Sequence, residues 1–464
     1  MNAPIIWIGL PLILSGILWF FRKNRQTVMT ISVASSLILA GLAVFLPIAS
    51  AIKVGTWTLE ISPEMIILGR KFVIDGGDRY FILLVYLIAA FWFFGSGVIE
   101  IYNNFVPIGL AIIALLIAAL AVDPFLYSAL LIEIAVLISV PMLSPPGSEF
   151  KKGVLSFVVF QTLALPFMLF SGWALSGIEA NPSDERLVTM AAVLLGLGFS
   201  FWLAIFPFYT WMPLLAEHAH PYVTGFLFIL LPTTSFLLTL KYLDGVAWLR
   251  DTTQIYNVLI FLGALMVVTG GIWSIFQKNL ARFFSYGVII ESGFSLIALG
   301  IGGAPGLKAF SMLFLPRIWG LGLWALAMAI LAQENGLDFA NLRGILYRKP
   351  IATIAVFLAV LSIAGVPLLA SFPTRQFVME NLAGIFPTAG VWVLVGIGCF
   401  LAGGIRLTIE LVSSDYRVWQ LKEEKFQIIL LSIGGLVLFG IGLFPEWFSN
   451  WSNVLLQGFS NLQK

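Results

Sequence analysis

Apolar residues run in long blocks along this chain, and polar residues gather between them. Blocks of the length that crosses a bilayer, roughly 17–25 residues, fall near 4–21, 28–50, 80–102, 106–122, 124–143, 153–176, 187–209, 221–242, 255–275, 282–302, 308–333, 350–371, 384–412 and 426–447. The spacing predicts about fourteen membrane helices. The longest stretch outside them, Ala51 to Arg79, alternates in Val54-Gly55-Thr56-Trp57-Thr58-Leu59 and predicts a small hairpin outside the membrane. No connection is long enough to hold a soluble domain.

Composition agrees with the pattern. The chain is 60% hydrophobic and only 10% charged, where soluble domains carry about a quarter charged residues. The fold class is therefore an all-α polytopic membrane protein. One cysteine, Cys399, excludes an internal disulfide or a cysteine-based metal site. Two histidines, His218 and His220, do not make a metal centre. A net charge of +2 gives no pointer to nucleic acid. Ile5 to Phe21 reads as a first span closed by Arg22-Lys23-Asn24-Arg25, not as a cleaved signal.

Lysine and arginine give an orientation. Alternate connections carry Arg22, Lys23 and Arg25; Lys151 and Lys152; Lys278 and Arg282; Arg343, Arg348 and Lys349; and Arg417, Lys422 and Lys425. The opposite side includes the acidic loop from Glu179 to Glu185. The positive-inside rule puts the basic set in the cytoplasm. An even number of helices then puts both termini on the outer face.

The central stretch is Gly196 to Val223, where Pro207 and Pro213 stand among Phe206, Phe208, Tyr209 and Trp211. A proline inside a helix removes a donor and clashes one turn back. In lipid such a break is tolerated only within a bundle or beside water, and transporters place ion sites there. The plainer reading is a helix ending at the interface with an aromatic belt. Pro367, in Ala364-Gly365-Val366-Pro367, would interrupt the twelfth span as Pro207 interrupts the seventh. Breaks five helices apart suggest two inverted repeats. The chain 1–464 then reads as one transmembrane domain: N-terminal helices 1–105, a first repeat 106–242, a second repeat 255–412 and a C-terminal helix 426–464.

Charges within spans cost several kcal/mol by roughly the insertion scale. Glu133 lies in the middle of Leu-Leu-Ile-Glu-Ile-Ala-Val, and Glu291 in the middle of the tenth span. Arg317 follows Pro316, and Arg375 lies just past Pro367; Glu291 is near enough to the middle of its helix to partner either arginine, and Arg375 reads as a fixed positive counter-charge. Glu100 and Asp123 stand near helix ends and read as solvated or snorkelling groups. Arg406 and Glu410, four residues apart, read as a self-satisfied pair. Glu133 has no basic partner in its own helix, which points to ion chemistry or an interhelical pair.

These residues bring out a family. The chain resembles the antiporter-like membrane subunits of respiratory complex I (NADH:quinone oxidoreductase), related hydrogenases and Mrp-type cation/proton antiporters. Ile74-Asp75 and Arg79-Tyr80-Phe81 resemble the family's entry to its third helix. Glu133 falls at the fifth-helix glutamate. Phe206-Pro207-Phe208-Tyr209-Thr210-Trp211-Met212-Pro213 is similar to PFHTWLP. Arg282-Phe283-Phe284-Ser285-Tyr286-Gly287 resembles KRLLAYS, with Ser292-Gly293-Phe294 following. Lys308-Ala309-Phe310 resembles KALLF, and Ser362-Ile363-Ala364-Gly365-Val366-Pro367 resembles SLAGIP, ahead of Phe372-Pro373-Thr374-Arg375. The resemblance implies fourteen helices, inverted five-helix repeats and broken seventh and twelfth helices.

The departures bear on mechanism. A lysine before the PFH proline is the family's central proton carrier, and Trp202 stands there. The eighth helix of relatives often has a lysine or histidine, and Phe228 to Thr234 has neither. The twelfth-helix lysine or glutamate becomes Arg375 and the usual PFH histidine becomes Tyr209. A buried lysine can cycle its charge; tryptophan cannot, and arginine stays protonated.

Three functions follow. The first is a proton- or cation-translocating subunit using Glu133, Glu291, Arg375, Arg317, Lys308, His218, His220 and water, driven from a redox partner. The second is a paralogue that keeps the fold and docking surface but conducts nothing. The third is a stand-alone transporter of another solute. Trp202 is expected to plug the local water path, its indole N–H bonding Glu133. The histidines are expected in an exposed cytoplasmic loop. No dinucleotide motif or cysteine cluster is present, so no cofactor is expected on this chain. The expected partners are other membrane subunits and the bilayer, in a bacterial plasma or thylakoid membrane.

Overall fold

The computed structural model describes residues 2–46, 48, 51–54, 57–144, 151–180, 184–413, 419–447 and 458–462. Apolar blocks become helices because a helix alone satisfies its own backbone in lipid. In chain order these are α1 (Leu10–Phe20), α2 (Arg25–Phe45), α3 (Arg79–Gly95), α4 (Phe105–Ala121), α5 (Ser128–Leu143), α6 (Lys152–Ala180), α7 (Glu185–Trp202), α8 (Trp211–His218) and α9 (Pro221–Gly245). They continue as α10 (Ala247–Asp251), α11 (Thr253–Ile275), α12 (Leu280–Ile301), α13 (Gly303–Asn335), α14 (Pro350–Ala364), α15 (Phe372–Ile385), α16 (Pro387–Val412) and α17 (Lys425–Leu443). Among the described residues, 10 helices are long and apolar enough to cross a membrane, and four shorter apolar ones accompany them. The protein is an all-helical membrane protein.

The strands lie between α2 and α5. β1 (Ala51–Val54) pairs antiparallel with β2 (Trp57–Glu60), Val54 opposite Trp57. This is the hairpin read from the alternation, although its turn, Gly55-Thr56, lies outside the described residues. A second hairpin was not expected: β3 (Glu64–Ile67) pairs with β4 (Arg70–Val73) through Leu68-Gly69, both at positive φ. Two positive φ values suit the twist of a two-residue hairpin turn. β5 (Val122–Asp123) adds to β4, so the chain leaves helix at Ala121.

Several boundaries depart from the hydropathy pattern. The third span was read through 102, but α3 ends at Gly95. There Ser96 bonds back to the Phe93 carbonyl, and the Arg25 guanidinium donates to the carbonyls of Ser96 and Ile99. An arginine on these carbonyls is a C-terminal cap. Hydropathy alone leaves 372–383 between two spans, and the structure makes it most of α15. Pro213 does not break a helix. It is the third residue of α8, where no intrahelical partner awaits its missing N–H. The acidic loop lies partly outside the described residues at 181–183, and Arg417 is outside them too.

The chain divides into two compact units. One holds Met1–Leu203 and Thr233–Tyr242; the other holds Ala204–Pro232 and Leu243–Lys464. In the first, α2 packs on α3, α4 on α5, and α6 on α7. In the second, α11 packs against both α12 and α16. Glycines set that approach. A Cβ on Gly271 of α11 would lie 2.0 Å from the Gly396 carbonyl oxygen of α16, and one on Gly263 would lie 2.5 Å from the Gly293 carbonyl of α12. Small residues let membrane helices touch backbone to backbone.

Candidate functional site

The second unit holds the most buried charges of the sequence reading. Glu291 of α12, Arg317 of α13 and Arg375 of α15 are 1%, 3% and 4% exposed. Arg375 Nη2 donates to Glu291 Oε1 and also to the Ile363 carbonyl, at 3.2 Å. Its guanidinium carbon lies 3.4 Å from the centre of the Phe294 ring. Arg317 Nη1 donates to Ser295 Oγ at 3.3 Å, and Ser295 in turn donates to the Glu291 carbonyl at 2.9 Å. Glu291 Oε2 and Arg375 Nε and Nη1 have no hydrogen-bond partner among the described residues. Two arginines against one carboxylate leave a surplus of positive charge in the apolar interior.

Local backbone explains how Arg375 reaches Glu291. α14 closes at Gly365, which has φ +75°. Gly365 N–H bonds the Ser362 carbonyl and Val366 N–H the Leu361 carbonyl, a glycine-based helix stop. A Cβ at residue 365 would stand 2.8 Å from Arg375 Cγ, so the glycine supplies both the turn and the room for the arginine stem. Pro367 lies in the exposed link beyond, two residues past Gly365. Thr374 Oγ1 bonds the Met312 carbonyl of α13 at 3.2 Å and fixes the start of α15.

The break after α7 has a similar outline. The helix ends on Trp202, Ala204 takes φ 53°, and the Phe206–Pro207 peptide is cis. A 3₁₀ turn over Phe208–Thr210 leads into α8. In the first unit, Trp202 is buried edge-on to Phe199, with ring centres 5.8 Å apart. Its indole does not bond Glu133. Glu133 is half-buried on α5, and its Oε1 accepts from Thr162 Oγ1 of α6 at 2.7 Å. The expected indole contact is thus replaced by a hydroxyl.

The remaining candidates stand apart from these charges. Lys308 is exposed near the start of α13, 5.3 Å from the Phe377 ring centre. His218 ends α8 with Nδ1 2.7 Å from the Leu214 carbonyl, and His220 Nδ1 accepts from Tyr222 N–H at 3.2 Å. Both are half-buried, where the sequence suggested an exposed loop. Their neighbour Glu217 pairs with Arg282 at 3.2 Å. Arg406 and Glu410 are not a pair. Arg406 donates to the Ile275 carbonyl at 2.6 Å, and Glu410 takes Arg343 at 2.9 Å. Partners on other segments, the end of α11 and the turn before α14, take the place of the i, i+4 contact here.

Sequence reasoning passed over two polar features of the first unit. Gln161 of α6 is buried with both amide atoms unpartnered among the described residues. Lys241 of α9 bonds the Leu120 carbonyl at the end of α4 and stands 3.8 Å from Asp78 Oδ1. A single glutamine is polar but uncharged, so a search for charges within spans passes over it. Lys241 stands four residues before the end of α9, where a cation reads as a flanking group rather than as a charge within a span.

The fold and these charges can be compared with known proteins. Residues 156–403, just over half of the chain, match the family described as NADH:quinone oxidoreductase/Mrp antiporter, TM. The chain belongs to that family. The NADH-quinone oxidoreductase subunit N of Ruthia magnifica subsp. Calyptogena magnifica is 23% identical, over 99% of this chain and 99% of its own. That of Heliobacterium modesticaldum is 26% identical over half of this chain and 49% of its own length. Among solved structures, a chain of respiratory complex I from Thermus thermophilus gives a TM-score of 0.80 at 18% identity, covering 100% of both chains. A chain of the Mrp complex from Dietzia sp. DQ12-45-1b gives 0.84 at 14% identity, covering 100% of this chain and 97% of that one. A chain of the archaeal membrane-bound sulfane sulfur reductase gives 0.84 at 18%, covering 100% and 98%. This NADH:quinone oxidoreductase/Mrp antiporter family member thus carries Glu133 held by Thr162 in one unit, and Glu291 held by Arg375 in the other.

Proposed function

We propose that this chain is a proton- or cation-translocating membrane subunit of a complex I-like assembly, beside other membrane subunits, with the redox chemistry in its partners. The carrying observation is the buried Glu291–Arg375 contact beside Arg317. Ionisable side chains within membrane helices are costly and mark ion pathways. In this reading Glu133 takes and releases a proton in the first unit, with Thr162 orienting its carboxylate. Arg375 and Arg317 are fixed counter-charges through which Glu291 responds to a charge change in a neighbouring subunit. Lys308, His218 and His220 would carry protons between the helix ends and water. The four shorter apolar helices beside the ten longer ones support fourteen spans, with the seventh and twelfth broken within two inverted repeats, 106–242 and 255–412. Both termini would lie on the outer face of a bacterial plasma or thylakoid membrane.

A second reading rests on Trp202. It is 2% exposed where relatives are expected to hold a titrating lysine, and arginine does not release its proton. The chain would then be a non-conducting paralogue that keeps the fold and docking surface. Proton uptake by the assembly in liposomes separates the two. Abolition of uptake by Glu133→Gln or Glu291→Gln, with assembly intact, is the result expected of translocation. Absent native uptake that appears with Trp202→Lys is the result expected of a retired antiporter.

A further inference from the structure

Asp78 and Lys241 make a second polar site in the first unit. Asp78 precedes α3, and Lys241 lies in α9 near its end. Their charged atoms are 3.8 Å apart, too far for a hydrogen bond and close enough for strong coupling in a partly apolar setting. Lys241 Nζ bonds the Leu120 carbonyl, at the negative end of α4. It also stands 5.6 Å from the Phe125 ring centre. Asp78 Oδ2 accepts from Asp75 N–H at 3.2 Å. Beside the carboxylate is a cavity of about 10 Å³, walled by Ile74, Phe81, Ile82, Ile117 and Leu120. That is about the least volume that takes one water molecule.

The pair is neither sealed nor open. Asp78 and Lys241 are 28% and 19% exposed at their side chains, while apolar side chains wall the cavity beside the carboxylate. Other charges nearby are engaged elsewhere. Arg79 donates to the Ala43 carbonyl at 3.0 Å, Lys71 pairs with Glu64, and Arg70 stacks on Tyr127. Asp75, whose Oδ1 accepts from Gly77 N–H at 2.7 Å, is the second carboxylate facing Asp78. Burial pushes the Asp78 carboxyl above the ordinary carboxylate range, the Lys241 ammonium opposing the rise and Asp75 adding to it.

We propose that Asp78 and Lys241 form a proton-exchange station between the first unit and the water at this end of the bundle. The step conserves atoms and electrons. An O–H bond forms at an Asp78 carboxylate oxygen as the O–H bond of a hydronium or the N–H bond of Lys241 breaks. The reverse transfer hands the proton to water or back to the amine. When the proton comes from hydronium, Lys241, tethered to the end of α4, stays charged beside the neutral acid; when it comes from Lys241, both partners become neutral together. The inference rests on the translocation reading and names where protons cross the boundary.

The test uses the assembly purified through this chain and reconstituted in liposomes. Proton uptake per electron is read with a pH dye for native, Asp78→Asn, Asp78→Glu, Lys241→Gln and Glu133→Gln. Asp78→Asn and Lys241→Gln are expected to slow uptake by about tenfold or more. Asp78→Glu is expected to restore it with a displaced pH profile. In infrared titration of the assembly, a protonated-carboxyl band is expected to vanish in Asp78→Asn alone. Native-like uptake in Asp78→Asn, or an unchanged band, overturns the station. Those results leave the translocation reading standing if Glu133→Gln still abolishes uptake. A native assembly that takes up no protons overturns that reading, and the station with it.

Discussion

Arg375, on α15, reaches across the glycine stop of α14 to donate to Glu291 on α12, and both side chains are almost fully buried. The contact joins two helices of the second unit. Its partners are not equivalent: the arginine has a second acceptor at Ile363, while Glu291 keeps one oxygen unpartnered among the described residues.

Removing the carboxylate should therefore cost more than removing one arginine. Glu291→Leu is expected to lower stability by about 3–5 kcal/mol, because buried arginines lose their counter-charge. Arg375→Met should cost less, since Arg317 still balances Glu291, and the double variant should lose less than the sum of the two. Tryptophan-fluorescence melting of the detergent-solubilised protein measures this, and additive losses would contradict a coupled pair.

Thr162 should matter for transport more than for folding. Hydrogen bonds to charged groups contribute about 1.5–3 kcal/mol, and Thr162 Oγ1 makes the one hydrogen bond Glu133 has among the described residues. Thr162→Val is expected to slow proton uptake by about tenfold, and Thr162→Ser to restore it. Equal rates in all three forms would remove Thr162 from the pathway.

The glycine seam gives a packing prediction. Gly271→Ala puts a methyl 2.0 Å from the Gly396 carbonyl oxygen and is expected to cost about 1–3 kcal/mol as an overpacked contact. Gly320→Ala is the control. Nothing lies within 4 Å of its added carbon, so its melting should shift by no more than about 0.5 kcal/mol.

Asp78 sets a pH prediction for stability. Its folded-state carboxyl titrates above the ordinary range, chiefly through burial. The unfolded chain then ionises first as pH rises. The stabilisation is complete below the unfolded value and is lost between that value and the raised one. Melting followed from acid to neutral pH should show this decline in the native protein and not in Asp78→Asn.

Much of the helix map could be read from the sequence because lipid permits little else. Breaks and partners were harder to place. Pro141, Pro166, Pro232 and Pro316 all sit inside helices, so proline alone does not mark an interruption. α14 stops at Gly365, where a positive φ is needed, before Pro367 is reached. Glu133, Glu291, Arg317 and Arg375 were legible as costly charges. The sequence offers Arg317 or Arg375 as the partner of Glu291; the hydrogen bond goes to Arg375, 84 residues away, a choice that helix periodicity cannot make at that range. Arg406 shows the converse, since its in-register neighbour Glu410 was legible and its actual partner on α11 was not.

Gly365 has a further meaning. Arg375 bends through the space that a side chain at residue 365 would fill. The two positions therefore form one unit of inheritance. A lineage that places a bulkier residue at the stop must first give up the arginine, and one that regains the arginine must first recover the glycine.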